Sequence, residues 1–313
     1  MVLRKPVLFC FLLFSFLLGA IMSGCAGPQP LQSKKSEAGE LDRKGAEYFH
    51  QGQYQKALKF FQKALQVQES IDDRQGVALS LNNIGTVHQA LSEYPLAIQY
   101  YERSLAIHLQ TGDEAGQSLN FNNLGSVKRL EGKPDVALDL FQKSLAIEEK
   151  RGNRNGQAIR WNNLGLTHSD LGDQNRAVEC YGKAKKLHEE TENLTGLADV
   201  WNNIGSVHEF QRDWPRALEA YQKALEMDKK VENSQGIATD LSNLGRTLEE
   251  MGEKDKALDH YLRAWRINEY LGLKNRILKD LANIIRLYEN LGQPEQAEQM
   301  RQRAAQIRSG NKK

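Results

Sequence analysis

The sequence predicts an all-α solenoid of about seven helix-turn-helix units, and three observations predict it. The block Leu81-Asn82-Asn83-Ile84-Gly85 returns as Phe121 to Gly125, Trp161 to Gly165 and Trp201 to Gly205, more loosely as Leu241 to Gly245 and Leu281 to Ile285, always 40 residues on. Within a period, apolar residues recur at helical spacing twice: Leu81, Ile84, His88 and Leu91, then Tyr94, Ala97, Ile98, Tyr101 and Leu105. Glycines also keep the period in the two turns. Gly52, Gly132, Gly172, Gly252 and Gly292 follow first helices, and Gly76, Gly116, Gly156, Gly196 and Gly236 mark the return turn, where a helix boundary calls for a permissive backbone. A helix pair of this size cannot bury its apolar face alone, so successive units stack into one elongated domain.

The first element is a leader. Arg4 and Lys5 precede an uncharged apolar run from Val7 to Ile21, and Ser23-Gly24-Cys25 follows, the order of a basic region, an apolar region and a small-residue processing site. The run is shorter than the ~20 residues needed to cross a membrane. Ile21-Met22-Ser23-Gly24-Cys25 resembles the lipobox of bacterial lipoproteins, with Met22 in place of the usual Leu, Val or Ile. The resemblance implies a signal peptide over 1–24, a thioether-linked diacylglycerol on Cys25 and an acyl chain on its amine. Such an anchor is durable, because each buried methylene contributes ~0.8 kcal/mol and several chains act together. Ala26 after the cysteine resembles the outer-membrane sorting rule, which implies a lipid-anchored protein of the bacterial cell envelope facing the periplasm. Residues 25–40, rich in Gly, Pro, Gln, Ser and Lys, read as the lipidated cysteine and a flexible tether.

The solenoid is expected over 41–308. Gly45, Gly85, Gly125, Gly165, Gly205 and Gly245 recur inside first helices, where glycine costs ~1 kcal/mol against alanine and so needs a packing reason. The reason is expected to be close approach to the large residue of the second helix, Phe61, Tyr101, Phe141, Tyr181, Tyr221 or Tyr261, flanked by Ala57, Ala97, Ala137, Ala177, Ala217, Ala257 and Ala297. In the last unit Ile285 replaces the glycine and Arg301 the aromatic. Its final helix, Pro294 to Arg308, is rich in Gln, Glu and Arg, as a cap facing water should be, and residues 309–313 read as a disordered tail.

The ordered set Trp201, Ile204, Gly205, Ala217, Tyr221 and Ala224, repeated in register, resembles the tetratricopeptide repeat. The unit is longer than the roughly 34-residue standard and carries Asn-Asn-Leu-Gly, similar to the long-helix subclass of kinesin light chains and spindle-orientation adaptors. The resemblance implies a right-handed solenoid whose first helices line a concave groove that grips a partner.

Function is expected in that groove. On a helix, Asn82, Thr86 and Gln89 fall on one side, away from Leu81, Ile84 and His88. By the resemblance, the partner-binding groove is Asn82, Thr86, Gln89; Asn122, Ser126, Arg129; Asn162, Leu166, Ser169; Asn202, Ser206, Glu209; Ser242, Arg246, Glu249; and Arg286. An asparagine amide both donates and accepts, so a ladder of them can pair with the main chain of an extended protein or peptide segment. The second asparagines, Asn83, Asn123, Asn163, Asn203, Asn243 and Asn283, are assigned to bonds between helices; the alternative is that both members of each pair only bridge helices. The stripe turns charged at Glu209, Arg246, Glu249 and Arg286, which suggests a ligand with a plain stretch and a charged end. The carboxylate clamp of the family uses lysine where Asn82, Asn122 and Asn162 stand, which argues against that use.

Other chemistry is not expected. The chain has 42 Lys and Arg against 40 Asp and Glu, and setting Arg4 and Lys5 aside with the leader makes the two equal, so no bulk field favours nucleic acid. His88, His168 and His208 share one repeat position, on the order of 10 Å apart in successive helices, too far to share a metal, and read as core histidines. No metal, cofactor, catalytic residue or small-molecule substrate is expected. Cys10 leaves with the leader and Cys180 reads as a buried inert thiol; Trp161, Trp201 and Trp214 read as core, and Lys183, Lys185 and Lys186 as a solvated face. The sequence reads as a non-enzymatic envelope scaffold; its resemblance to lipidated repeat proteins that assist pilus, secretion or outer-membrane assembly implies an assembly role, the alternative being an adaptor that recruits a cell-wall hydrolase or protease.

Overall fold

The computed structural model describes residues 31–309. The expected leader, Cys25 and residues 310–313 of the expected tail lie outside the described residues. Among the described residues there are fourteen α-helices and no strand. They pair into seven units: α1 (Leu31–His50) with α2 (Tyr54–Glu69), α3 (Arg74–Ala90) with α4 (Tyr94–Thr111), α5 (Glu114–Leu130) with α6 (Pro134–Lys150), and α7 (Arg154–Asp170) with α8 (Gln174–Glu190). The series continues with α9 (Leu194–Phe210) and α10 (Trp214–Lys230), α11 (Ser234–Glu250) and α12 (Lys254–Tyr270), and α13 (Lys274–Asn290) and α14 (Pro294–Ser309). None of these helices is long and apolar enough to cross a membrane.

The period is set by repeated local chemistry. Asp73, Asp113, Asn153, Asn193 and Asn233 cap α3, α5, α7, α9 and α11, each side chain accepting from the backbone N–H three residues on, at 2.9–3.2 Å. The chain leaves each first helix through a left-handed residue: glycine at Gly52, Gly132, Gly172, Gly252 and Gly292, but Ser92 and Arg212 in the second and fifth units. Inside the units the expected fit is present. A Cβ on Gly85 would lie 2.7 Å from the Tyr101 ring, and one on Gly165 2.5 Å from Tyr181. Tyr181 packs with Ala177, Ala184, Val200 and Val207, joining a unit to the next.

Two expectations are corrected. The tether was placed over 25–40, yet α1 begins at Leu31 and buries Ala38. The physical reason is the register: Ala38 stands 40 residues before the buried Ala78, and Lys34 and Lys35 reach Ser70 and Asp73 of the next helices. The return-turn glycines are also not boundary residues with a special backbone. They lie in the first turn of the helix, and the left-handed residues of that turn are Asp72, Gly112, Gly152, Glu192, Glu232 and Gly272. Gly76, Gly116, Gly156, Gly196 and Gly236 are small because a buried polar side chain of the preceding helix lies against them; a Cβ on Gly116 would sit 2.1 Å from the His108 ring.

Consecutive helices pack throughout, and first helices of neighbouring units also touch: α1 with α3, α3 with α5, α5 with α7, α7 with α9 and α9 with α11. Second helices make no comparable contact. The stack therefore closes on its first-helix side, which is the inner face, and the last helix, α14, buries Ala297 and Ala304 beneath a polar exterior.

Candidate partner-binding groove

The inner face is crossed by a ladder of amides. Asn123 donates from Nδ2 to Asn82 Oδ1 (2.9 Å), Asn163 to Asn122 (2.7 Å), Asn203 to Asn162 (2.8 Å) and Asn243 to Asn202 (3.0 Å). The second asparagine of each pair thus bonds between helices, as expected. The first is its acceptor, so the division falls between atoms rather than residues. Asn82 is buried, and Asn202 is engaged at both ends because its Nδ2 donates to Asp240 Oδ1 at 2.6 Å. The Nδ2 of Asn162 makes no hydrogen bond among the described residues and borders an open hollow. Thr86 and Ser126 turn their hydroxyls onto the carbonyls of Asn82 and Asn122, and Gln89 accepts from Tyr101 Oη at 2.9 Å.

The charged end of the stripe, expected to meet a charged end of the ligand, is internally paired. Arg246 forms a two-pronged bond with Glu209 across one repeat, and Arg286 does the same with Glu249, each with one contact at 2.7 Å. Tyr221 Oη donates to Glu209 at 2.7 Å. Arg129 pairs with Asp170 at 2.8 Å, and Ser169 meets the side chain of Gln174. These ions answer each other, and the groove offers little charge where the sequence shows most.

Several hollows open along the face, two of them roomier than the rest. One, of about 410 Å³, is lined by Asn162, Leu166, Asp199, Asn202, Ser206, Thr239 and Arg246 among others; the next, of about 370 Å³, shares Arg246 and continues to Glu249, Lys279 and Arg286. Of the predicted residues, the structure brings Asn162, Leu166, Asn202, Ser206, Ser242, Arg246, Glu249 and Arg286 to these hollows. Asn82, Thr86, Gln89, Asn122, Ser126, Arg129 and Ser169 lie in earlier units of the same inner stripe, outside both hollows, with Thr86 at a smaller one of about 170 Å³, and Glu209 reaches the two hollows through Arg246 and Tyr221.

Sequence reasoning missed the position one helical turn before the first asparagine. Asp199, Thr239 and Lys279 occupy it in the last three units and line the hollows. The equivalent residues before them are Leu79, Leu119 and Ile159, large apolar side chains that remain 48%, 39% and 43% exposed. The signal was available: a leucine or isoleucine in register, adjacent to no apolar stripe, has no place in the interior.

Behind the inner face runs a buried polar seam. Arg160 meets Glu148 at 3.6 Å and Ser144 Oγ at 2.8 Å, and Asn268 donates to Asp280 at 2.6 Å. At the corresponding place in the fifth and sixth units two carboxyls, Asp228 and Asp240, face each other. Burial first, then Asp228 and Asp199, hold Asp240 well above the usual carboxylate range, against the lowering bond from Asn202. Asp199 is accessible but recessed in the hollow, and loss of water with the nearby Asp228 raises it to about 6.

His88 is buried, bonded to Glu93 at 2.6 Å and stacked on Tyr100, while His168 and His208 are half-buried. No described group of His, Cys, Asp and Glu is arranged to hold a metal ion. Cys180 packs among Phe141, Leu145 and Leu164, and burial pushes its thiol up. Lys183 and Lys185 are not simply solvated, as expected: their ammonium groups lie 3.9 Å and 5.0 Å from the Trp161 and Trp201 ring centres.

Similar folds are known. A Rap protein complexed with Competence and Sporulation Factor is 16% identical, with a TM-score of 0.67 over 90% of this chain and 79% of that one. Aspartyl phosphate phosphatase F from Bacillus subtilis is 16% identical, with a TM-score of 0.68 over 90% and 72%. The putative kinesin light chain repeats of Podosopora anserina are 15% identical, with a TM-score of 0.50 over 61% and 94%. These likenesses are of fold. No curated protein matches the sequence. The family profile described as the tetratricopeptide repeat matches residues 40–110, 116–190 and 196–269, most of the chain, which therefore belongs to the tetratricopeptide repeat family.

Proposed function

We propose that this chain is a non-enzymatic scaffold that holds a segment of another protein along its inner face while Cys25 anchors it to a bacterial envelope membrane. The observation that carries the binding half is the open trough: hollows of about 410 and 370 Å³, the first lined by Asn162, Asp199 and Ser206. Mainly side-chain amides and hydroxyls surround the first hollow, so it suits a polypeptide main chain better than a reacting substrate. The Rap protein of like fold is one solved with a partner, Competence and Sporulation Factor, which supports the reading. The anchoring half rests on the leader and on Ser23-Gly24-Cys25, and the proposed role in assembling pilus, secretion or outer-membrane machinery rests on the resemblance to lipidated repeat proteins that do so.

The test places a photo-crosslinking residue at Ser206 in the groove, or at the exposed Glu102 on the outer face, in the full chain in a bacterial host. A discrete adduct from Ser206 alone is expected, and its partner's identity separates an assembly component from a cell-wall hydrolase or protease. Equal adducts from both positions would defeat groove binding. Metabolic labelling with a fatty acid, lost in Cys25→Ser, tests the anchor; no label in the parent chain removes it.

A further inference from the structure

The inner face carries a second stripe, distinct from the asparagines, whose chemistry changes along the solenoid. In successive units it reads Leu79, Leu119, Ile159, Asp199, Thr239 and Lys279. The first three are apolar and exposed, with no packing role that keeps them from water. Scattered apolar residues on a surface need no explanation, but three at one repeat position on an inner face form a line. Asp199, next in that line, makes no ion pair among the described residues, whereas Arg246, the arginine of its hollow, is held by Glu209. Asp228 lies close enough to Asp199 to raise its proton affinity, so a second carboxyl stands beside this one, while Asp240 beyond them is raised to about 8 and adds no negative charge at neutral pH. A cation brought into the hollow meets an uncompensated negative field, and a second anion meets repulsion.

We propose that the groove takes an extended protein segment bearing a run of apolar side chains followed by a lysine or arginine, the apolar groups seated on Leu79, Leu119 and Ile159 and the cation against Asp199. This rests on the groove-binding reading and specifies its partner. The segment is extended because a helix has already paired its main-chain groups, whereas the Asn162 amide needs one that is free. Neighbouring first helices lie on the order of 10 Å apart, and an extended chain rises ~3.1–3.4 Å per residue. One contact therefore falls about every third residue, and a stretch of about ten residues carries three apolar groups and the cation.

The test pans a random twelve-residue peptide library on the full chain in detergent at pH 7.5, in parallel on Asp199→Lys. The wild-type chain should enrich peptides with apolar residues about three apart leading to Lys or Arg. The resulting consensus peptide should bind Asp199→Lys and Leu119→Ser each on the order of tenfold more weakly, the first loss recovering when its basic residue becomes Glu. Asp199→Asn, which keeps the shape, should lose less than Asp199→Lys. Circular dichroism spectra of these variants should match the parent's, which shows the fold intact. Enriched peptides without a basic residue, or with affinity unmoved by Asp199→Lys, overturn the proposal while leaving groove binding intact. Peptides indifferent to a blocking Ser206→Trp, or no enrichment at all, overturn both. A self-associated chain that Leu119→Ser turns into a monomer would make a second copy the occupant and reject the segment.

Discussion

Units two to four and units five to seven share a register but differ in what they present. Both halves, up to the sixth unit, bury the same tyrosine or phenylalanine against the same glycine, and both link first helices through asparagines or an arginine–glutamate pair. In the first half the seam behind the groove holds Ser104, Asn120 and the Glu148–Arg160 ion pair, and the groove shows leucine and isoleucine. In the second half the seam holds opposed carboxyls at Asp228 and Asp240, and the groove shows Asp199, Thr239 and Lys279. Apolar packing repeats the same glycine and aromatic in register, whereas the inner-face positions and the buried polar seam differ between the halves and carry the chain's individuality.

The sharpest way to break this contrast is to treat the two seams alike. Arg160 is 6% and Glu148 2% exposed, so removing the arginine strands a buried carboxylate that keeps only Arg151 and Asn153. Arg160→Met is expected to destabilise by about 3 kcal/mol, the low end for a broken buried pair. Urea unfolding reads it; a loss below about 0.5 kcal/mol would mean water already reaches Glu148.

The amide ladder offers a middle-sized effect. Asn122→Ala with Asn162→Ala removes the acceptors of Asn163 and Asn203, each a part-buried bond worth about 1 kcal/mol. A loss of roughly 2 kcal/mol in urea unfolding is therefore expected together with weaker partner binding. Unchanged stability would show the ladder to be ornamental and return the first asparagines wholly to the groove.

The second seam should respond to acid in the opposite sense to a salt-bridged protein. Asp240 has a folded pKa raised above the ordinary carboxylate value near 4, by burial and by Asp228 and Asp199, with Asn202 the one lowering partner. The folded state then holds more protons than the unfolded chain, so stability falls as pH rises through that window. The melting temperature is expected to be higher at pH 5 than at pH 8, and Asp240→Asn should remove much of that difference while raising the pH 8 value by about 2–4 °C, the shift of ~1 kcal/mol. A variant that melts lower at pH 8 would show Asp240 to be a needed anion.

Much of this was legible in the sequence because a 40-residue period exposes each packing position six or seven times over. Gly85 and Tyr101 could be paired from spacing alone, since a helical glycine needs a neighbour. The start of α1 was hidden by composition: Ser33 to Glu40 looks like a tether, and only counting one period back from Ala78 to Ala38 reveals the helix. The groove was half legible. Residues with polar side chains drew attention at Asn82 and Arg246, whereas the structure shows Arg246 bound to Glu209 and the open positions held by Leu79, Leu119, Ile159 and Asp199. Pairing across repeats depends on side-chain reach, which no single-helix projection contains.

The smallest effect separates groove charge from groove function. Arg246 and Arg286 are about half exposed, so their bonds to Glu209 and Glu249 sit where water screens them. Arg286→Ala is expected to cost no more than about 1 kcal/mol, shrinking further in high salt as the screening length shortens. Partner affinity should scarcely change, because the guanidinium is already answered within the chain. A drop in affinity several times larger than the drop in stability would instead mean that the partner displaces Glu249 from Arg286. The charged half of the groove would then act as a latch, opened by competition for an ion pair, and the contrast between the two halves would become one of mechanism as well as chemistry.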